Sequence, residues 1–174
     1  ATVVDLGEGA TLSPAQLQTL ALAQALEIPS EHPVARAIVE GTQLDGVQAP
    51  QISEFTNHAG RGVSATVAHA AGQATYAVVG KATWLSQQGV SLSEQAEAQV
   101  RALEDTGATV VLVASGPDPK SLRLRAALAV RDEPKPTTAK AISELKAMGL
   151  RPILLTGDNE RAAKFIAARW VLMT

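Results

Sequence analysis

Thr109-Val110-Val111-Leu112-Val113-Ala114 is followed by the compact turn Gly116-Pro117-Asp118-Pro119 and then by a second apolar stretch, Leu122 to Val130. A run rich in β-branched residues, a glycine–proline turn and a second, leucine- and alanine-rich run read as strand, turn and strand. Upstream, Ile52, Phe55, Val63, Ala65 and Val67 suggest short strands broken by Gly60 and Gly62, and Ala74 to Val79 suggests one ending at Gly80. Ser13-Pro14 reads as an N-cap with proline at the first helical position, opening a helix to about Leu26. Ser30 can cap a second helix with Pro33 in its first turn and Val34, Ala37 and Ile38 as its apolar stripe. Thr83 to Gln87 fits a helical turn, and Ser93 to Leu103 a longer helix. The pattern predicts an α+β domain, an antiparallel sheet flanked by helices, with those helices on one side.

Near Arg131 the character changes. Thr137 to Met148 reads as an amphipathic helix with Ala141, Ile142 and Leu145 on one face, ended by Gly149. Pro152 to Leu155 then reads as a short buried strand, Thr156-Gly157-Asp158-Asn159 as a polar loop, and Arg161 to Val171 as the start of another helix. Helix, strand, loop and helix make half of a parallel α/β unit. The expected division is 1–130 and 131–174, with the boundary between Val130 and Pro136.

The 174 residues suffice for one domain, or for one and a fragment of a second. Hydrophobic residues make up 46% and aromatic residues 3%, so Ala, Val and Leu must build the core. A formal charge of -2, without a basic stripe, argues against a general nucleic-acid binder. Cysteine is absent, which excludes disulfides and thiolate metal sites in this chain. No apolar run approaches the roughly 18 residues of a membrane span.

Three constellations carry chemistry. Glu27 and His32 bracket the junction of two helices, where a histidine ring can face a purine and a carboxylate can accept from an exocyclic amine; a cap or packing role for His32 stands beside that reading. Gly60-Arg61-Gly62 permits positive φ or close backbone approach, and equally a plain hairpin turn. Gly80-Lys81 fails as a Walker A loop, because residue 82 is Ala and residue 75 is Thr. His32, His58 and His69 match no compact metal spacing, so no metal site is expected. Thr156-Gly157-Asp158, placed after a strand and before a helix, suits phosphate chemistry.

Glu27 with Ser30-Glu31-His32-Pro33-Val34-Ala35 resembles the signature of the nucleotide-binding domain of heavy-metal-transporting P-type ATPases. The resemblance implies that Glu27 and His32 hold adenine, and that Gly60, Gly62 and Gly80 line the pocket, bare so that base and ribose fit. Lys81 stands where the family usually has Asn. The segment around Thr156, Gly157 and Asp158, with Asp132 before it, resembles the phosphorylation domain. Those three residues would orient and stabilise the transferring phosphoryl group and its Mg2+. The second region would then be a partial haloacid-dehalogenase-like α/β segment.

The family's Asp-Lys-Thr-Gly-Thr and Gly-Asp-Gly-x-Asn-Asp segments do not occur in the sequence. The chain therefore reads as a truncated cytoplasmic portion of an integral plasma-membrane transporter. It is expected to bind ATP but not to turn it over by itself. Its expected partners are the remaining phosphorylation, actuator and transmembrane domains, and copper is the ion moved by the family's commonest members. The alternatives are a standalone adenine-nucleotide-binding regulatory module, a haloacid-dehalogenase-like phosphatase fragment, for which an Asp-x-Asp loop is missing, and a structural α+β domain.

Overall fold

The computed structural model describes residues 2–4, 12–43, 48–68, 74–131 and 136–153. Among the described residues six strands form one sheet: β1 (Thr2–Val4), β2 (Ile52–His58), β3 (Gly62–Ala68), β4 (Ala74–Gly80), β5 (Thr109–Gly116) and β6 (Arg123–Val130). Their order is β1-β6-β5-β4-β3-β2. β1 runs parallel to β6 and every other pair is antiparallel. Five helices accompany them among the described residues: α1 (Pro14–Glu27), α2 (Pro33–Gly41), α3 (Ala82–Gln87), α4 (Glu94–Asp105) and α5 (Pro136–Ala147).

The helices do not gather on one side, as the sequence suggested; they cover both faces. Leu20, Ala23 and Leu26 of α1 and Ile38 of α2 pack with Val63, Val79, Val111, Val113 and Leu128. On the opposite face Trp84 and Leu85 of α3 and Val100 of α4 pack with Val78, Val110, Leu112 and Ala127. Successive residues of a strand point to opposite faces. A strand buried on both faces must therefore be apolar without alternation, and the unbroken run from Val110 to Ala114 is the consequence.

The helix starts are set by local chemistry. Ser13 caps α1 in a capping box: its Oγ accepts from the Gln16 N–H (3.3 Å) while its own N–H donates to Gln16 Oε1 (2.8 Å). The cap of α2 is His32, not Ser30. Pro33 sits at the first helical position, so the capping residue must be the one just before it. Ser30 lies two residues too early, and its Oγ accepts instead from the His32 N–H (3.4 Å).

Between β2 and β3, Ala59-Gly60-Arg61 makes a three-residue hairpin loop with Gly60 at φ +69. The Arg61 N–H donates to the His58 carbonyl (2.9 Å), so Gly60 is the third residue of a four-residue turn, a position whose positive φ favours glycine. α5 forms as expected and ends at Gly149 (φ +77), where the Gly149 and Leu150 N–H groups donate back to the Lys146 and Leu145 carbonyls. Its expected apolar face is only partly covered, with Ile142 half-buried, Ala141 exposed and Leu145 40% exposed. The buried strand expected from Pro152 is not seen in the described part: Pro152 and Ile153 are irregular and Ile153 is 82% exposed. None of the described strands pairs with them, and an unpaired segment has no ladder to bury into. The rest of that stretch, with Thr156, Gly157, Asp158 and Asn159, lies outside the described residues, as do Asp132, His69 and the helix expected from Arg161.

Candidate functional site

The corner between α1 and α2 opens onto the ends of β3 and β4. Glu27 closes the last turn of α1, and Ile28-Pro29-Ser30-Glu31 carries the chain to His32 at the head of α2. The Ser30 N–H donates to the Glu27 carbonyl (3.0 Å), which tightens this link. Across from it lie the β2–β3 loop with Gly60 and Gly62, and the end of β4 at Gly80. Together they enclose a cavity of about 240 Å³. All five residues expected to contact a nucleotide in this region, Glu27, His32, Gly60, Gly62 and Gly80, line it.

Each presents a different chemistry. Glu27 is buried at 7% exposure, and no hydrogen bond or ion pair engages its carboxyl among the described residues. Burial without a compensating partner disfavours the charged form, and its pKa is pushed up to about 7. His32 is exposed, and its Nδ1 accepts from the Val34 N–H (3.2 Å). A ring nitrogen that accepts carries no hydrogen, so the neutral ring keeps its proton on Nε2. The same contact fixes the ring plane. The capping and binding readings of His32 are therefore compatible, since the cap bond engages one nitrogen only. Val63, Val79 and Val111 supply an apolar wall.

The glycines divide by role. Gly60 has open space where a Cβ would go, and only its positive φ requires glycine. Gly62 and Gly80 are adjacent partners in the β3–β4 register. A Cβ on Gly62 would stand 2.2 Å from the Val79 carbonyl oxygen and 2.9 Å from the Trp84 ring. One on Gly80 would stand 2.6 Å from both the Arg61 carbonyl oxygen and the Trp84 ring. What demands their bareness is sheet backbone and the Trp84 ring, which packs on the face opposite Val63 and Val79. Their backbones form the cavity floor; their missing side chains make room for Trp84.

Lys81, which the sequence already marks as standing where the family usually has Asn, reaches the cavity rim and is exposed. So does Arg61, the middle residue of the Gly-x-Gly, to which sequence reasoning assigned no role. The Lys81 N–H donates to the Arg61 carbonyl (2.9 Å), so two cationic residues are stapled side by side. Asn57 and Thr109 also border the space, and no residue-type pattern would have singled them out. Trp84, beneath the floor, had no motif to announce it. His58 is tied down: its Nε2 lies 2.9 Å from the Ser64 Oγ, and its ring centroid is 4.7 Å from that of Trp84. Among the described residues no group of three or more His, Asp or Glu side chains is arranged to hold a metal ion. No described helix is long and apolar enough to cross a membrane.

Over residues 2–172 the sequence matches the haloacid dehalogenase-like hydrolase family. It is 37% identical over 150 residues to a copper-exporting P-type ATPase of Vibrio cholerae, an alignment that covers 86% of this chain and 15% of that protein. The fold is similar to the crystal structure of a zinc-transporting PIB-type ATPase in the E2.Pi state, with a TM-score of 0.64, 30% identity, and coverage of 94% of this chain and 24% of that one. It also resembles the N-domain of HMA8, a copper-transporting P-type ATPase, with a TM-score of 0.50 and 22% identity over 76% of this chain and 100% of that domain. The resemblance carried by Glu27 and the stretch from Ser30 to Ala35 is thus matched by P-type ATPases in both sequence and fold. The antiparallel sheet with flanking helices is the architecture shared with the N-domain. The chain spans only 15% of the Vibrio cholerae ATPase and 24% of the zinc-transporting one.

Proposed function

The chain belongs to the haloacid dehalogenase-like hydrolase family, and from that premise we propose that it is the ATP-binding cytoplasmic part of a P-type ATPase that moves a heavy-metal ion, copper, across a membrane. Residues 1–130 would form its nucleotide-binding domain and 131–174 part of its phosphorylation domain. One observation carries this reading. Glu27, His32, Gly60, Gly62 and Gly80, spread over 54 positions of sequence, converge on one cavity.

The size of that cavity suits part of a nucleotide. At about 240 Å³ it falls below the ~300–1,000 Å³ of pockets that enclose whole drug-sized ligands. The adenosine end enters, with one face of the base against the His32 ring and the other toward the valine wall. The phosphates stay outside, past Arg61 and Lys81, and reach toward the second domain. There Thr156, Gly157 and Asp158 would orient the γ-phosphoryl group. Magnesium, held by the phosphates with help from Asp158, would neutralise charge developing on the transferring group. Transfer requires an accepting carboxylate. The Asp-Lys-Thr-Gly-Thr segment that supplies it in the family is not in this sequence, so this chain binds ATP without forming a phosphoenzyme.

Titrating ATP into isotopically labelled protein while recording backbone amide shifts tests this reading. Glu27, His32, Gly60, Gly62 and Gly80 should move together along one saturating curve. Shifts confined to other surfaces, or no saturation at millimolar ATP, would overturn it. Incubation with γ-labelled ATP should leave no acyl-phosphate on the chain.

A further inference from the structure

Among the described residues Glu27 is the one strongly buried ionisable side chain facing the cavity, and none of them satisfies it. The residue is 7% exposed, and its carboxyl accepts no hydrogen bond and meets no cation among the described residues. A buried polar group left unpaired is costly unless a ligand completes it. We infer that Glu27 reads adenine as a neutral carboxylic acid, its O–H donating to N1 and its C=O accepting from the N6 amino group, so that adenine binding needs a proton that guanine binding does not. The inference rests on the nucleotide reading above and specifies the chemistry of its base subsite.

The two purine edges differ in what they ask of a carboxyl. Adenine offers a donor beside an acceptor, N6–H and N1. A carboxylic acid, with one donor and one acceptor, matches both. A carboxylate has only acceptors, so it loses the N1 bond and sets its negative charge against the N1 lone pair. Guanine carries N1–H and N2–H, two adjacent donors that a bare carboxylate satisfies. Deprotonating Glu27 therefore weakens adenine while leaving guanine a good partner.

The surroundings favour the proton. On the elements packed around Glu27 the ionisable groups are His32, Arg36 and Glu40 of the α2 segment, Glu54 and His58 of β2, and Tyr76 of β4, with Arg61 and Lys81 at the rim. None pairs with Glu27, and Arg36, Arg61 and Lys81 point their charge into solvent. Burial alone holds the carboxyl half-protonated near neutrality. A base entering the cavity removes further water and shifts it toward the acid form. At pH 7 binding of ATP then takes up about half a proton, whereas binding of GTP, which suits the carboxylate, takes up none or releases up to about half.

Calorimetric titration of the full chain with ATP and with GTP, each with excess magnesium, at pH 6, 7 and 8 is the test. The two ligands carry the same triphosphate, so its ionisation cancels in the ratio of their dissociation constants. The ratio Kd(GTP)/Kd(ATP) should fall at least about tenfold from pH 6 to pH 8, as expected for a group titrating near 7 whose proton ATP requires and GTP does not. In Glu27→Gln, whose amide keeps a donor and an acceptor at every pH, the ratio should become flat. Proton uptake by the unaltered chain, read from ATP titrations in buffers of different ionisation enthalpy, gives a second measure that needs no variant. A flat ratio with normal ATP binding, or equal uptake with both nucleotides, overturns this inference alone. Failure of both nucleotides to bind overturns the nucleotide reading and this inference with it.

Discussion

Gly62 and Gly80 stand opposite each other in the register of β3 and β4, and the Trp84 ring occupies the space a Cβ on either would need. The floor of the cavity is therefore a two-residue strip of bare backbone pressed from behind by an indole. Trp84 is in turn braced by His58, whose ring it meets at 4.7 Å and which holds Ser64 from the same strand pair. The strip's position depends on packing behind the sheet, not on a ligand in front of it.

Alanine substitutions should separate the three glycines by mechanism. Gly60→Ala meets no atom and suffers only from its left-handed φ, a cost of about 1 kcal/mol. Gly62→Ala must displace sheet backbone at 2.2 Å, which backbone cannot concede cheaply. Its cost should be about 3 kcal/mol or more. Gly80→Ala should resemble Gly62→Ala, since it meets both backbone and the Trp84 ring. Urea unfolding of the three variants checks the order. Equal losses at all three positions would contradict the geometry.

His32 should show two separable roles. Its Nδ1 caps α2, and its ring borders the cavity. His32→Ala removes both and should cost about 1 kcal/mol of stability along with ATP affinity. His32→Ser restores a capping oxygen without a ring. It should recover the melting temperature and leave ATP binding as weak as in the alanine variant. Recovery of binding in the serine variant would mean that the cap, and not the ring, is what ATP needs.

The strands and helices were legible because Ser13-Pro14, Gly60, Gly80 and the Gly116-Pro117 turn punctuate clear periodicities. The second helical layer is also written there, in the unbroken run from Val110 to Ala114, since a strand covered on a single face would alternate. The cap at His32 was missed because serine is the more familiar capping residue, although Pro33 already fixed the position. The convergence of Glu27 and His32 with three distant glycines was legible only through family resemblance. No local pattern says that β3 and β4 end beneath the α1–α2 corner. Trp84 was invisible for the same reason, since its partners lie in strands separated from it by a sheet register.

Glu27 should also shape the pH dependence of stability. Its pKa is raised from an ordinary 4.5 to about 7 by burial. Between these values the folded state holds a proton that the unfolded state has released, so stability falls as pH rises through that window and levels off above it. Below about 4.5 both states are protonated and the effect vanishes. Glu27→Gln removes this penalty. The variant should gain stability relative to the natural chain as pH rises from 4.5 to 8, by up to about 3 kcal/mol. Parallel denaturation curves at pH 5 and pH 8 decide the point: an unchanged difference between the two pH values would show that the carboxyl is already solvated or paired.

Arg61 and Lys81 should act on the phosphates and not on the base. Their backbones are joined by the 2.9 Å bond from the Lys81 N–H to the Arg61 carbonyl, and both side chains are exposed at the cavity rim. Neither belongs to an ion pair among the described residues, where the two surface pairs are Arg101–Glu97 and Lys140–Glu144. Two free cations at ordinary solvent exposure attract a triphosphate over a Debye length of about 8 Å at physiological salt. Affinity should therefore rise from AMP to ADP to ATP and fall with added salt. Lys81→Asn, which places the family's usual residue here, should reduce the ATP-over-AMP preference several-fold and flatten the salt dependence, leaving AMP binding little affected because AMP barely reaches the rim. Titrations with the three nucleotides at two salt concentrations measure both slopes. A loss of AMP affinity equal to the loss for ATP would place Lys81 on the base or ribose instead.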